Sequence, residues 1–339
     1  MKNYFKKVAM AMLLLAMANV CVARQWHVNN HPNTTADFSS ITAATESAGV
    51  LAGDTICIGA GCVLSGTQSV KKKVTVIGLG WEYDDSFELR SYVSGDLSIS
   101  AAGAKVVGLR VSDEIILSAS NITVERCWSN SIRHSNSSTH YNNAKIISCR
   151  TAKVQGYTSN SYGYYNTGWT IKNCIIEGDV NSMYKIQRAT IENNVFVRSG
   201  AGTVFQNVIE SVVKNNIVIQ RSAGGESSII TGCESSVFIN NIMSLPAEYE
   251  ELYPHNIMIG SNDIATVFKC TGTVASGEYY SLRDGSPAIG AGDVGIDCGV
   301  TGGVYKFVPY GLPDHIPVIK SFSMPDTPTD GKINVTIGF

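Results

Sequence analysis

Lys185 and Arg188 stand three residues apart in SMYKIQRATIEN, with Asp179 a short way upstream. A basic side chain that takes a proton α to a carboxylate, beside a cation that neutralises that carboxylate, is the equipment of β-elimination. Arg126, Arg133 and His134 form a second basic set. Neither set belongs to a longer catalytic motif, and ordinary surface charge is the simpler reading of both.

Aromatic residues make the second candidate. VQGYTSNSYGYYNTGW (154–169) crowds Tyr157, Tyr162, Tyr164, Tyr165 and Trp169 into one turn-rich stretch. Exposed on a loop, such rings stack against sugars; folded back, they make a local satellite core. LPAEYEELYPHN (245–256) adds Tyr249, Tyr253 and His255 beside Glu248, Glu250 and Glu251. It either joins the same groove or forms a solvated acidic bulge. No EF-hand, Asp-rich nonapeptide or CxxC pair occurs, so no residue is assigned to a metal and zinc is disfavoured.

These groups need a scaffold, and the chain repeats. Polar pairs interrupt apolar runs at Asn193-Asn194, Asn215-Asn216 and Asn240-Asn241. The second member of each pair shares a register with Cys127, Cys149 and Cys174, at intervals of 22, 25, 20, 22 and 25 residues. Three positions earlier lies an apolar residue each time: Val124, Ile146, Ile171, Ile191, Val213 and Phe238. A period of about 23 residues means a solenoid. A leucine-rich repeat is disfavoured, because Leu245 is the only Leu from 121 to 245. A parallel β-helix remains, with Val and Ile stacked inward and each Asn at a tight bend. Cys127, Cys149, Cys174, Asn194, Asn216 and Asn241 are then a structural ladder rather than a ligand row.

The N-terminus reads as a secretory signal peptide over 1–23: Lys2, Lys6 and Lys7, an apolar stretch from Val8, then Cys-Val-Ala. Its removal leaves 23 basic residues against 28 acidic. Nothing suggests nucleic-acid binding, and no later segment is apolar enough to span a membrane. A secreted, periplasmic or cell-surface location is expected. It would permit disulfides, and Cys57 with Cys62, or Cys270 with Cys298, are the open pairings. Residues 24–305 form the solenoid with its cap. A Pro-rich β tail follows over 306–339.

The repeat resembles the right-handed parallel β-helix proteins of the pectate-lyase-like superfamily. ADFSSITAATESAGVLAGDTICIGAG (36–61) is similar to the usual entry of that fold, with Phe38, Ile41, Ala44 and Ala48 at helical spacing and Gly49 placed to end the helix. DGSPAIGAGD (284–293) is similar to the segment that often closes its last turn. The resemblance implies an all-β, single-stranded right-handed parallel β-helix with an N-terminal helical cap and a C-terminal β tail, in a secreted bacterial protein. It also implies polysaccharide or a cell-surface glycan as partner, bound in a lateral groove. Three activities stay open: glycan binding without catalysis, a uronate lyase with Lys185 or Arg188 as base, and a non-catalytic adhesion module. Calcium enters only with the lyase. Hydrolases of this fold need further acidic and Gly-His-Gly parts that do not accompany Asp84-Asp85.

Overall fold

The computed structural model describes residues 23–32, 34–81, 91–135, 139–156, 166–178, 181–200, 202–221, 229–260, 264–269, 280–312, 321–323 and 336–338. The leader expected at 1–23 lies outside them, apart from Ala23.

Short strands coil into a right-handed parallel β-helix. One sheet stacks ten strands, beginning at Gln25–Val28 and ending at Val237–Ile239; a second takes 17 strands from the rest of the coil. The register is strict. Thr190, Ile191 and Glu192 lie over Thr170, Ile171 and Lys172 on one side and over Val212, Val213 and Lys214 on the other. In this three-residue strand only the middle side chain points inward, which fixes one apolar position per turn. Val124, Ile146, Ile171, Ile191 and Val213 fill that column, all fully buried. Burying each contributes about 1.5–3 kcal/mol.

Left-handed residues bracket these strands. Arg188 (φ 52) precedes Thr190–Glu192 and Asn193 (φ 56) follows it; Glu210 (φ 48) and Asn215 (φ 57) do the same one turn later. Asn tolerates this conformation at low cost because its short side chain hydrogen-bonds locally. That is the physical reason the chain places Asn between apolar runs.

The second residue of each pair faces the core. Asn194 Oδ1 accepts the backbone N–H of Cys174 at 2.8 Å, and Asn194 Nδ2 donates to Ile171 O and to Asn216 Oδ1. Asn216 repeats the pattern with Ile191 and Asn241. The row continues one step beyond the expected end: Asn241 Nδ2 donates to Asn256 Oδ1, and Asn256 Nδ2 to Phe238 O. Asn256 follows after only 15 residues, too short an interval for the spacing to reveal. Cys127, Cys149 and Cys174 continue the row upward as buried free thiols.

The cap helix is Ile41–Glu46. Ser40 Oγ accepts the Ala43 N–H at its start. It ends before Gly49: Ser47 is the C-cap, extended, and donates its N–H to Ala43 O and Ala44 O. Gly49 has no left-handed role there. Asp54 ties the first turn together by accepting from Arg24 N, Trp26 Nε1 and Leu51 N, at 2.8–2.9 Å.

Cys57 and Cys62 are free thiols, so the first proposed pairing is not made; Cys298 is also free, and Cys270 lies outside the described residues. Ser286-Pro287-Ala288-Ile289 does not close a turn. The last described strand of the coil is Ile257–Met258, and the later segment packs on the outside. The β tail contributes one antiparallel pair among the described residues, Ser321–Ser323 with Thr336–Gly338.

Candidate functional site

Two outer surfaces carry polar chemistry. The first follows from the register one place after the ladder. In the lower turns that column is Ile175, Val195, Ile217 and Ile242, covered by Val267, Phe268, Ala288 and Val300 in an apolar cluster outside the coil. In the upper turns the same column is Tyr92, Arg110, Trp128 and Arg150, each paired with the next in parallel register. The guanidinium of Arg110 sits 4.1 Å from the Trp128 ring centre and 5.6 Å from that of Tyr92, and Arg150 lies 4.8 Å from Trp128 on its other face. Both arginines thus lie over aromatic rings in cation–π contact. Arg150 Nε donates to Glu177 Oε2 at 3.1 Å. Beside the row, Glu114 takes hydrogen bonds from Ser131 Oγ and Arg133 Nε. Stacked strands lie about 4.8 Å apart, so the row is a straight axial strip of alternating ring and cation. It is partly exposed throughout.

The second surface is made by the C-terminal segment. It turns back along the coil as a strap and meets the first residue of each polar pair in reverse order. Asn215 Oδ1 accepts from Asp293 N. Asn193 Nδ2 donates to Asp297 O and Gly299 O, and Asn173 Nδ2 to Val300 O and Gly302 O. Ser148 Oγ donates to Tyr305 O and Lys306 O, Arg126 to Leu312 O, and the Trp81 N–H to Tyr310 O. Between strap and ten-stranded sheet lies a cleft of 360 Å³, walled by Lys172, Glu192, Asn215, Asp293, Val294 and Tyr305 among others. A charge chain crosses it: Lys172 to Glu192 at 2.8 Å, Glu192 to Lys214 at 3.7 Å, Lys214 to Asp293 at 3.1 Å. The hydrogen-bonded Asp293 carboxylate, helped by Glu192 against the effect of burial, holds the Lys214 ammonium above its ordinary range.

The residues singled out in the sequence scatter. Lys185 occupies a left-handed bend (φ 52) within Met183–Gln187 and is buried, with its ammonium 5.3 Å from the Tyr184 ring centre. Arg188, at the next corner, is exposed and paired with Glu210 at 2.7 Å. One is buried and the other exposed, and Glu210 engages Arg188. Asp179, Tyr157, Tyr162, Tyr164 and Tyr165 lie outside the described residues. Asn166, which follows these tyrosines, donates its side-chain amide to Gly156 O. Trp169 is fully buried in the core, its indole donating to Tyr141 O at 3.0 Å, so it faces no groove. Tyr253 packs on the core's lower end, 6.1 Å from Phe238, while Glu248, Glu250 and Glu251 are solvated. His134 is buried and donates through Nε2 to Thr139 O; burial holds it below the ordinary His range.

Among the described residues no three His, Cys, Asp or Glu side chains group to hold a metal, and no helix is long and apolar enough to cross a membrane. In the sequence Trp128 and Arg150 directly follow Cys127 and Cys149. The available signal was a ring and a cation in a column that is otherwise apolar. The chain was compared with protein-family models, with curated proteins and with solved structures, and none of the three yields a match.

Proposed function

We propose that this is an extracytoplasmic glycan-recognition protein that binds an anionic polysaccharide lengthwise along the Tyr92–Arg110–Trp128–Arg150 row. The row carries the reading. Trp128 is the apolar centre of the row, and the two guanidinium groups that flank it bring positive charge to a partly exposed line on which carboxylate or sulfate groups can be recognised. Rings and cations alternate along one line, which suits a linear polymer better than a compact ligand. The whole chain is slightly acidic, at −2, so recognition of a polyanion rests on this local concentration of positive charge rather than on the overall field. Secretion, read from the lysine-led apolar leader, would place the protein where such polymers occur.

The reading is one of binding. Lys185 is buried and Arg188 is paired with Glu210, so the arginine–tryptophan row rather than either of these residues supports the reading.

Affinity electrophoresis through gels containing uronate or sulfated polysaccharides tests the proposal. Retardation is expected with at least one polyanion, weakening as salt rises and falling about tenfold or more in Arg110→Ala and Trp128→Ala. Equal mobility of wild type in all gels, or retardation unchanged in both variants, would overturn it.

A further inference from the structure

The strap does not meet its three asparagine rungs alike. Asn173 and Asn193 each give Nδ2 to two strap carbonyls. Asn215 is just as buried, and its Oδ1 is held by Asp293 N–H, yet its Nδ2 has no partner. Turning the amide over would set an NH₂ against that N–H, so the orphan donor is not a matter of orientation. An unmatched buried donor is destabilising and calls for an explanation. The next strap residue is abnormal as well. Val294 is β-branched, left-handed at φ 52 and ψ 27, and 93% exposed. Such a conformation is strained for a β-branched residue and persists only where neighbours enforce it. Unsatisfied donor and strained turn coincide at one point, the rim of the 360 Å³ cleft.

We infer that this cleft is a separate ligand site for one neutral sugar residue. Its charges balance, two lysines against Glu192 and Asp293, which disfavours an anion. Glu192 spends one oxygen on each lysine, while Asp293 spends Oδ2 on Lys214 and keeps a second oxygen to accept from a hydroxyl. The Tyr305 ring, half exposed at 50%, supplies an apolar wall for the C–H face of a pyranose. The volume lies at the lower end of the range for small-ligand pockets. With the strap seated the Asn215 amide nitrogen has no exposed surface. A sugar oxygen reaches it as the Val294 turn yields, and the new hydrogen bond offsets the movement. The site stands apart from the arginine–tryptophan row and does not depend on it.

Saturation-transfer NMR with the folded mature chain, against a panel of neutral monosaccharides and disaccharides at millimolar concentration, tests the inference. At least one neutral sugar should show transfer, with affinity falling about tenfold or more in Tyr305→Ala and in Asp293→Asn, two accessible positions whose replacement spares the coil. Arg110→Ala should leave it unchanged. Absence of transfer from every sugar overturns the inference. So does transfer that survives both cleft variants, or transfer abolished by Arg110→Ala alone.

Discussion

Asn193 and Asn194 are neighbours in the chain and face opposite ways. Asn194 sends its amide inward to Ile171 O and Asn216 Oδ1, whereas Asn193 sends its amide outward to Asp297 O and Gly299 O. One polar pair thus holds the coil together on one side and the strap on the other. Replacing each member should have different consequences. Asn194→Ala orphans the Cys174 N–H and removes the inward bonds to the Ile171 carbonyl and Asn216, and should lower global stability by about 1–3 kcal/mol. Asn193→Gly keeps the left-handed backbone and deletes only the outward bonds. It should leave the denaturation midpoint of the coil nearly unchanged while making residues 293–312 sensitive to protease. Equal loss of global stability in both variants would contradict this division.

The three cysteines of the ladder occupy positions where asparagine does more. Cys174 Sγ accepts the Cys149 N–H at 3.4 Å and lies 3.5 Å from Ile146 O. An asparagine in that place would offer Oδ1 to the first and Nδ2 to the second, as Asn194 does one turn on. Cys174→Asn should therefore be tolerated and raise stability by up to about 1 kcal/mol, read as a higher urea midpoint. A fall of more than about 2 kcal/mol would mean the thiol column is packed too tightly to admit an amide.

Burial pushes the Cys127 and Cys149 thiols well above their ordinary range, and the Cys298 thiol up to about 12. Thiolate is the reactive form. In the native protein at pH 8, Cys57 should be alkylated early among the described cysteines, and Cys127, Cys149 and Cys174 only after denaturant is added. Mass spectrometry of the labelled peptides decides it. Rapid native labelling of Cys149 would show that the coil opens there.

Much of the coil was legible because a stacked fold repeats its constraints. An inward Ile every turn and an Asn at each corner leave a period that survives variation in loop length, and Val124 through Phe238 could be placed in one column from spacing alone. The strap could not be read this way. It meets Asn173, Asn193 and Asn215 through its own backbone carbonyls and N–H groups, and a backbone contact leaves no residue-type signature. Trp169 misled for a related reason. It sits in a Tyr-rich stretch that looks exposed, but it takes the corner position that Ala144 and Ala189 hold in the adjacent turns, and that position faces the core. Lys185 and Arg188 lie close in sequence, but the bend at each turns them to different environments.

Gly311 marks the far end of the strap. Its backbone is left-handed at φ 65, and a β-carbon there would lie 2.1 Å from the Trp81 indole and 2.4 Å from the Arg126 carbonyl. No small adjustment relieves contacts that close. Gly311→Ala should detach the strap end, expose Trp81 and shift its fluorescence to longer wavelength. Unchanged emission together with an unchanged thermal midpoint would show that residues 306–312 do not clamp the upper turns.

Asp54 supplies the pH dependence of the cap. Burial alone would raise its carboxyl, but the N–H groups of Leu51 and Arg24, the Trp26 indole and the nearby Arg24 charge outweigh it and hold it below the ordinary carboxylate range. A carboxyl depressed in the folded state stabilises above its unfolded value, about 3.9, and that contribution is lost as pH falls through the lower folded value. The first turn and the helix Ile41–Glu46 should therefore loosen below about pH 4, ahead of the Asn-laddered middle, whose amides do not titrate. Hydrogen exchange at pH 3 and pH 7 should show the loss of protection confined to residues 24–58. Asp54→Asn should lower stability at pH 7 by about 1–3 kcal/mol, because its NH₂ would face donors. It should also flatten the acid limb of the stability profile. An acid limb equally steep in wild type and variant would show that other carboxylates set it.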